Sequence, residues 1–128
     1  KPQLLRELAR RAAAPTGVEA AAIERGLAAR EQLGSTGIGR GIALPHARLA
    51  ALRPYHALFA RLARPISFDA IDGKPVDLVF LLLIPPGDEA QHAAVLAEIS
   101  RRLRRPALAD QLRRTPTPLT AHRLLTEA

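Results

Sequence analysis

The feature that most limits how this chain can fold is the stretch VDLVFLLLI, Val76–Ile84, in which Asp77 is the one polar residue. It stands between a turn signal, Asp72-Gly73-Lys74-Pro75, and a break, Pro85-Pro86-Gly87. Apolar side chains at successive positions, rather than alternate ones, fit a strand covered on both faces. A bilayer span takes about 20 apolar residues, so this run is far too short for one. A strand covered on both faces needs a layer above and a layer below, and the rest of the sequence has to supply them.

It does so with alternating elements. Leu4, Leu5, Leu8 and Ala12 recur at helical spacing over residues 3–13, and Pro15-Thr16-Gly17 breaks the pattern. Residues 18–33 read as a second helix with Ala20, Ile23 and Leu27 on one face. Residues 34–41 read as a loop and 41–44 as a short buried strand. Residues 55–62 alternate loosely, as a strand does, and lead into Pro65-Ile66-Ser67-Phe68. After the Pro-Pro-Gly break, Asp88 with Gln91 three residues on resembles a capping box. Val95, Leu96, Ile99 and Leu103 then mark the inward face of a helix that Pro106 terminates. A short helix over 107–114 follows, and Thr117 with Pro118 opens a last one through Leu125. Strands interleaved with helices and no internal repeat predict an α/β fold: a mixed β-sheet flanked by helices on both faces, in a single domain over 1–128.

Aromatic residues make up only 3% of the chain against 48% apolar, so Leu, Ile, Val and Ala must fill the core. No cysteine is present, which excludes disulfides, thiolate catalysis and cysteine-bound metal. No signal-peptide pattern is visible; a chain starting at Lys1 is expected to be trimmed at its N-terminus, and a cytoplasmic location is expected. The net charge of +7 is almost all arginine, with lysine only at positions 1 and 74. Such a balance can mark nucleic acid or an acidic protein as partner. Here the arginines are scattered and base-stacking aromatics are nearly absent. A GC-rich coding bias is the simpler account, and neither a nucleic-acid partner nor membrane insertion is expected. Arg101, Arg102, Arg104 and Arg105 read as a solvated helix face.

The chemistry concentrates in GSTGIGRGIALPHARL, residues 34–49, where one of only four histidines follows a proline at the end of an apolar run. The loop lacks the Gly-Lys-Ser/Thr of a nucleotide P-loop, so ATP is not expected. Its backbone N–H groups, notably that of Gly37, and the Ser35 and Thr36 hydroxyls suit phosphate oxygens. Equally, its glycines can serve only to permit a turn, with His46 a capped surface residue. An imidazole in this position can be a general base, a metal ligand or a nucleophile toward phosphorus. His92 follows the Asp88 cap by four residues and precedes Val95, Leu96 and Ile99 on the inward face of its helix. That places it near the strand-end edge of the sheet, where sites form, or makes it a packed core histidine. Arg30, three residues after Leu27, also points to the apolar side of its helix, where it seeks an anion, a salt bridge or a route for its head to water.

Taken together, REQLGSTGIGRGIALPHARL and the later PISFDAIDGKPVDLVFLLLIPPGDEAQHAAVL resemble the enzyme IIA domain of the bacterial phosphotransferase system, mannitol/fructose class. The resemblance covers about residues 4–125 and is strongest to the nitrogen-regulatory members. It implies a phosphohistidine intermediate at His46, with Arg30 and His92 as the other catalytic residues. With the loop donors read above, Ser35, Thr36 and Gly37 are expected to bind the phosphate, and no cofactor or metal is expected to take part. The sequence departs from the pattern at Ala47, often glycine, and at Ala94, a second histidine in some nitrogen-type members.

The expected function is that of a phosphotransferase protein of the nitrogen branch. It accepts a phosphoryl group on His46 from an HPr- or NPr-like phosphocarrier and acts on regulatory targets such as transporters or sensor kinases. A homodimer is compatible with this. A sugar-branch enzyme IIA passing phosphate to a IIB or permease component, and a regulatory binding module without transfer, are the alternatives. The surface expected to meet partners is Ile38, Ile42, Leu44 and Leu49, with Arg40 and Arg48 at its rim.

Overall fold

The computed structural model describes residues 1–114 and divides into a first unit, Lys1–Asp88, and a second from Glu89 onward. The last predicted helix, from Thr117, lies outside the described residues. In the first unit, helices α1 (Pro2–Thr16) and α2 (Ala20–Gln32) precede five strands. These are β1 (Gly37–Gly39), β2 (Ile42–Ala43), β3 (His46–Arg48), β4 (His56–Ile66) and β5 (Val76–Ile84). The second unit contains α3 (Glu89–Leu103) and α4 (Pro106–Arg114), which bury Leu103, Leu108, Ala109 and Leu112. Among the described residues no helix is long and apolar enough to cross a membrane.

The apolar run is the central strand. β5 pairs parallel with β2 (Ile42 opposite Leu78) and with β3 (His46 opposite Leu82), and antiparallel with β4 (Phe59 opposite Phe80). The sheet is therefore mixed. Alternate residues Val79, Leu81 and Leu83 of β5 join Ala43 and Ala47 in one core with Leu5, Leu8, Ile23 and Leu27 of the two helices. Burial of a leucine such as Leu81 or Leu83 contributes about 1.5–3 kcal/mol by transfer from water.

Several elements differ from the sequence reading. α1 runs through Pro15 and ends at Gly17, whose left-handed backbone (φ 72°) lets its N–H bond the Ala13 carbonyl. A proline in the last turn costs one helical hydrogen bond near where the ladder ends anyway, so the stop falls after it. Residues 37–39 are a strand rather than loop, joined to β2 by a two-residue turn with positive φ at both Arg40 (59°) and Gly41 (80°). That is the backbone geometry of tight hairpins, and the Asp72 carboxylate fixes it by accepting the Arg40 N–H at 2.9 Å. Residues 46–48 form a separate strand along the same side of β5 as β2. Finally, β4 extends to Ile66, with its register shifting between Arg61 and Ile66.

Gly37 is a glycine for reasons of space. A Cβ there would lie 2.8 Å from the Ala70 Cβ and 3.0 Å from its Cα, closer than side-chain carbons pack. Gly37→Ala is expected to destabilise the fold by about 1–3 kcal/mol, the usual cost of overpacking. Urea unfolding of the two proteins checks this, and an unchanged midpoint would contradict it.

Candidate functional site

His46 opens β3 directly after Pro45. Proline has no N–H, so it cannot extend the ladder as a donor, although its carbonyl still accepts the Leu82 N–H at 3.0 Å. The Leu44 carbonyl accepts a hydrogen bond from the His46 ring instead: Nδ1 lies 2.9 Å from it. A carbonyl only accepts, so Nδ1 carries the proton and the lone pair of the neutral ring sits on Nε2. The Arg30 Nε–H donates to that Nε2 at 3.2 Å. The same guanidinium donates from Nη1 to the Gly34 carbonyl at 2.9 Å. Arg30 is in the last turn of α2, where a cation also complements the helix dipole.

Burial holds the His46 imidazole below its ordinary titration range. The Arg30 and Arg48 charges push the same way, while the Leu44 carbonyl and the Glu31 carboxylate oppose them. The folded state therefore prefers the neutral ring. As pH falls through the ordinary imidazole value of about 6.5 toward the lower folded one, this group subtracts stability; above that range it contributes none. An NMR titration of His46 is expected to give a midpoint below about 6.5, and a midpoint at or above that value would contradict the burial assigned here.

The Ser35 and Thr36 hydroxyls and the Thr36 and Gly37 N–H groups of the loop expected to bind phosphate make hydrogen bonds inside the protein. The Ser35 hydroxyl donates to the Phe68 carbonyl at 2.6 Å and accepts the Gly37 N–H at 3.0 Å. The Thr36 hydroxyl donates to Glu31, whose carboxylate also accepts the Thr36 N–H at 3.1 Å. The structure thus brings Arg30 and His46 together and uses Ser35, Thr36 and Gly37 to shape the loop beside them. His92 is a buried residue of α3 in the second unit. Among the described residues no three histidine, aspartate or glutamate side chains gather as a metal site.

Glu31 escaped the sequence reading. Its side chain is 5% exposed, with Lys1 Nζ 3.0 Å away, and the Lys1 ammonium also stands 4.6 Å from the centre of the Phe68 ring. The available signal was an acidic residue in the last turn of a helix, where the dipole disfavours it and some other group must hold it. The expected contact surface is also corrected. Ile42, Leu44 and Leu49 are buried, and Ile38 is partly buried. Among the described residues the exposed large apolar side chains are Leu33 (84%) and Ile71 (90%). The loops carrying them are joined through the Ser35–Phe68 hydrogen bond and the close approach of Gly37 to Ala70.

A neutral imidazole with its lone pair facing a guanidinium, on a mixed α/β sheet, is suited to carrying a negatively charged group on histidine. The chain belongs to the EIIA 2 family of the phosphoenolpyruvate-dependent sugar phosphotransferase system, whose model matches residues 1–128. It is 50% identical to a nitrogen regulatory protein of Bradyrhizobium diazoefficiens over 113 residues, 88% of this chain and 74% of the relative. It is similar in structure to the nitrogen regulatory protein IIA-Ntr of Neisseria meningitidis: TM-score 0.93, 33% identity, 98% of this chain and 86% of that one. The fold is shared with enzyme IIAMTL of Escherichia coli, solved in complex with phosphorylated enzyme IIBMTL: TM-score 0.80, 18% identity, 100% of this chain and 88% of that one.

Proposed function

We propose that this protein is a phosphohistidine carrier of the nitrogen-regulatory branch, a cytoplasmic phosphotransferase protein that accepts a phosphoryl group on His46 Nε2. The observation that supports this most directly is the pair of hydrogen bonds on the ring, Nδ1–H to Leu44 and Nε2 from Arg30. With Nδ1 committed, Nε2 is the nucleophile, and its depressed titration keeps it unprotonated at neutral pH. The donor is a phosphohistidine on an HPr- or NPr-like carrier. The donor's N–P bond breaks, the Nε2–P bond forms, and the pair on the leaving nitrogen returns to the donor ring.

The Nδ1 proton stays on His46, so no general base is needed. Arg30 leaves the lone pair and donates to a phosphoryl oxygen, where its charge offsets the roughly −1.5 to −2 that the group brings. Such transfer rests on positioning and electrostatics rather than on covalent help from other groups. His92 is proposed as a second catalytic residue on the resemblance of its motif. Partners beyond the donor are regulatory targets such as transporters or sensor kinases, and the whole of 1–128 acts as one domain.

The test is incubation with phosphoenolpyruvate, enzyme I and the histidine carrier, followed by mass-spectrometric mapping. Phosphate on His46 supports the reading, and phosphate elsewhere or none refutes it. Efficient onward transfer to a sugar IIB component would favour the sugar branch instead.

A further inference from the structure

Helix α2 crosses strand β3 at a glycine. A Cβ at Gly26 would lie 3.1 Å from the Ala47 Cβ and 3.5 Å from Leu49 Cδ2, tighter than ordinary contact at the first of these. Gly26 is four residues before Arg30, on the same helix face, and Ala47 immediately follows His46. The methyl group of Ala47 is fixed to the strand backbone and has no rotamer through which to yield. A side chain at 26 therefore has to push the helix and the strand apart.

We propose that Gly26 is a positioning residue: its missing Cβ sets the spacing of α2 and β3 at which Arg30 Nε meets His46 Nε2. Ordinarily a side chain as long as arginine absorbs small shifts of its backbone. Here it has little slack, because Nη1 is tied to the Gly34 carbonyl at the end of its own helix. Thr36, two residues further along that loop, is held to α2 by the Glu31 carboxylate. The guanidinium therefore travels with α2, and moving α2 outward moves the donor off the ring. At a helix-interior position alanine has the higher helix propensity, so the Gly26→Ala variant is expected to fold.

The inference rests on the proposed role of Arg30 and His46, and the experiment separates the two. In Gly26→Ala the NMR titration midpoint of His46 is expected to rise toward the ordinary value, because Arg30 withdraws and water reaches Nε2. Glu31, whose charge raises the titration of the ring, moves with α2 and offsets part of this rise, while Arg48 on β3 stays in place. Phosphohistidine formation is expected to slow on the order of 10-fold, since displacements of 1 Å can cost about 100-fold. The double variant Gly26→Ala/Ala47→Gly removes the opposing methyl and is expected to return both readings toward wild type. A His46 midpoint unchanged in Gly26→Ala, or a shift that Ala47→Gly does not reverse, would overturn the inference. Should the wild type take no phosphate, the proposed function fails, while the titration arm still decides the role of Gly26.

Discussion

His46→Ala is expected to abolish the acid-labile, base-stable phosphorylation of the protein while leaving it folded. On the proposed role, the acceptor is one nitrogen, Nε2 of the His46 ring, left free by the Nδ1 hydrogen bond to the Leu44 carbonyl at 2.9 Å. The ring is partly buried rather than fully exposed. Its removal should therefore lower stability by about 1 kcal/mol, the size of one hydrogen bond in a half-buried setting, and not unfold the chain. Radiolabel or intact-mass measurement after incubation with the upstream proteins reads the first effect, and a thermal melt reads the second. Label persisting in His46→Ala would place the acceptor elsewhere.

Arg30→Ala carries the second-largest expected effect, a loss on the order of 100–1,000-fold in the rate of phosphohistidine formation. That is the range for deleting one donor that stabilises developing negative charge. The argument is differential: in the resting state Arg30 makes one 3.2 Å bond to a neutral nitrogen, whereas in the transition state it faces phosphoryl oxygens. The loss should therefore fall on the rate rather than on docking of the carrier. His46 should also titrate higher in this variant, because a charge that disfavours the imidazolium is gone. Arg30→Lys retains the charge but not the paired Nε and Nη1 donors, and should recover only part of the rate. His92→Ala is expected to be milder, about 10–1,000-fold if it donates one hydrogen bond to the transferring group. Rapid-quench measurement of single transfers distinguishes these cases, and a wild-type rate in Arg30→Ala would reduce the arginine to a helix cap.

Much of this was legible in the sequence because it depends on neighbours along the chain. The continuous apolar run could only be a central strand, and its bounds coincide with β5. The helical stripes of α1 and α2 follow from spacing at three and four residues, and the Pro45-His46 step marks the position of the proposed acceptor ring. The short pieces β1 and β3 were hidden. Three residues carry no periodicity, and they become strands only because β2 and β5 offer hydrogen bonds. The likeness of the motif pointed to Arg30 and His46, but not to which ring nitrogen is free, which the Leu44 carbonyl decides.

The hydrogen-bond partners of Ser35 and Thr36 were not legible for a related reason. A hydroxyl beside glycines looks available in one dimension, yet Phe68 and Glu31 claim these two from elsewhere in the fold. The sequence by itself determined the helical stripes, the sheet's buried centre and the residue types at the site. Only tertiary structure determined the partners of the polar atoms and the closeness of α2 to β3. Hydrophobic periodicity is a property of successive residues. A hydrogen bond or a 3.1 Å approach at Gly26 depends on groups that meet only when distant segments pack together.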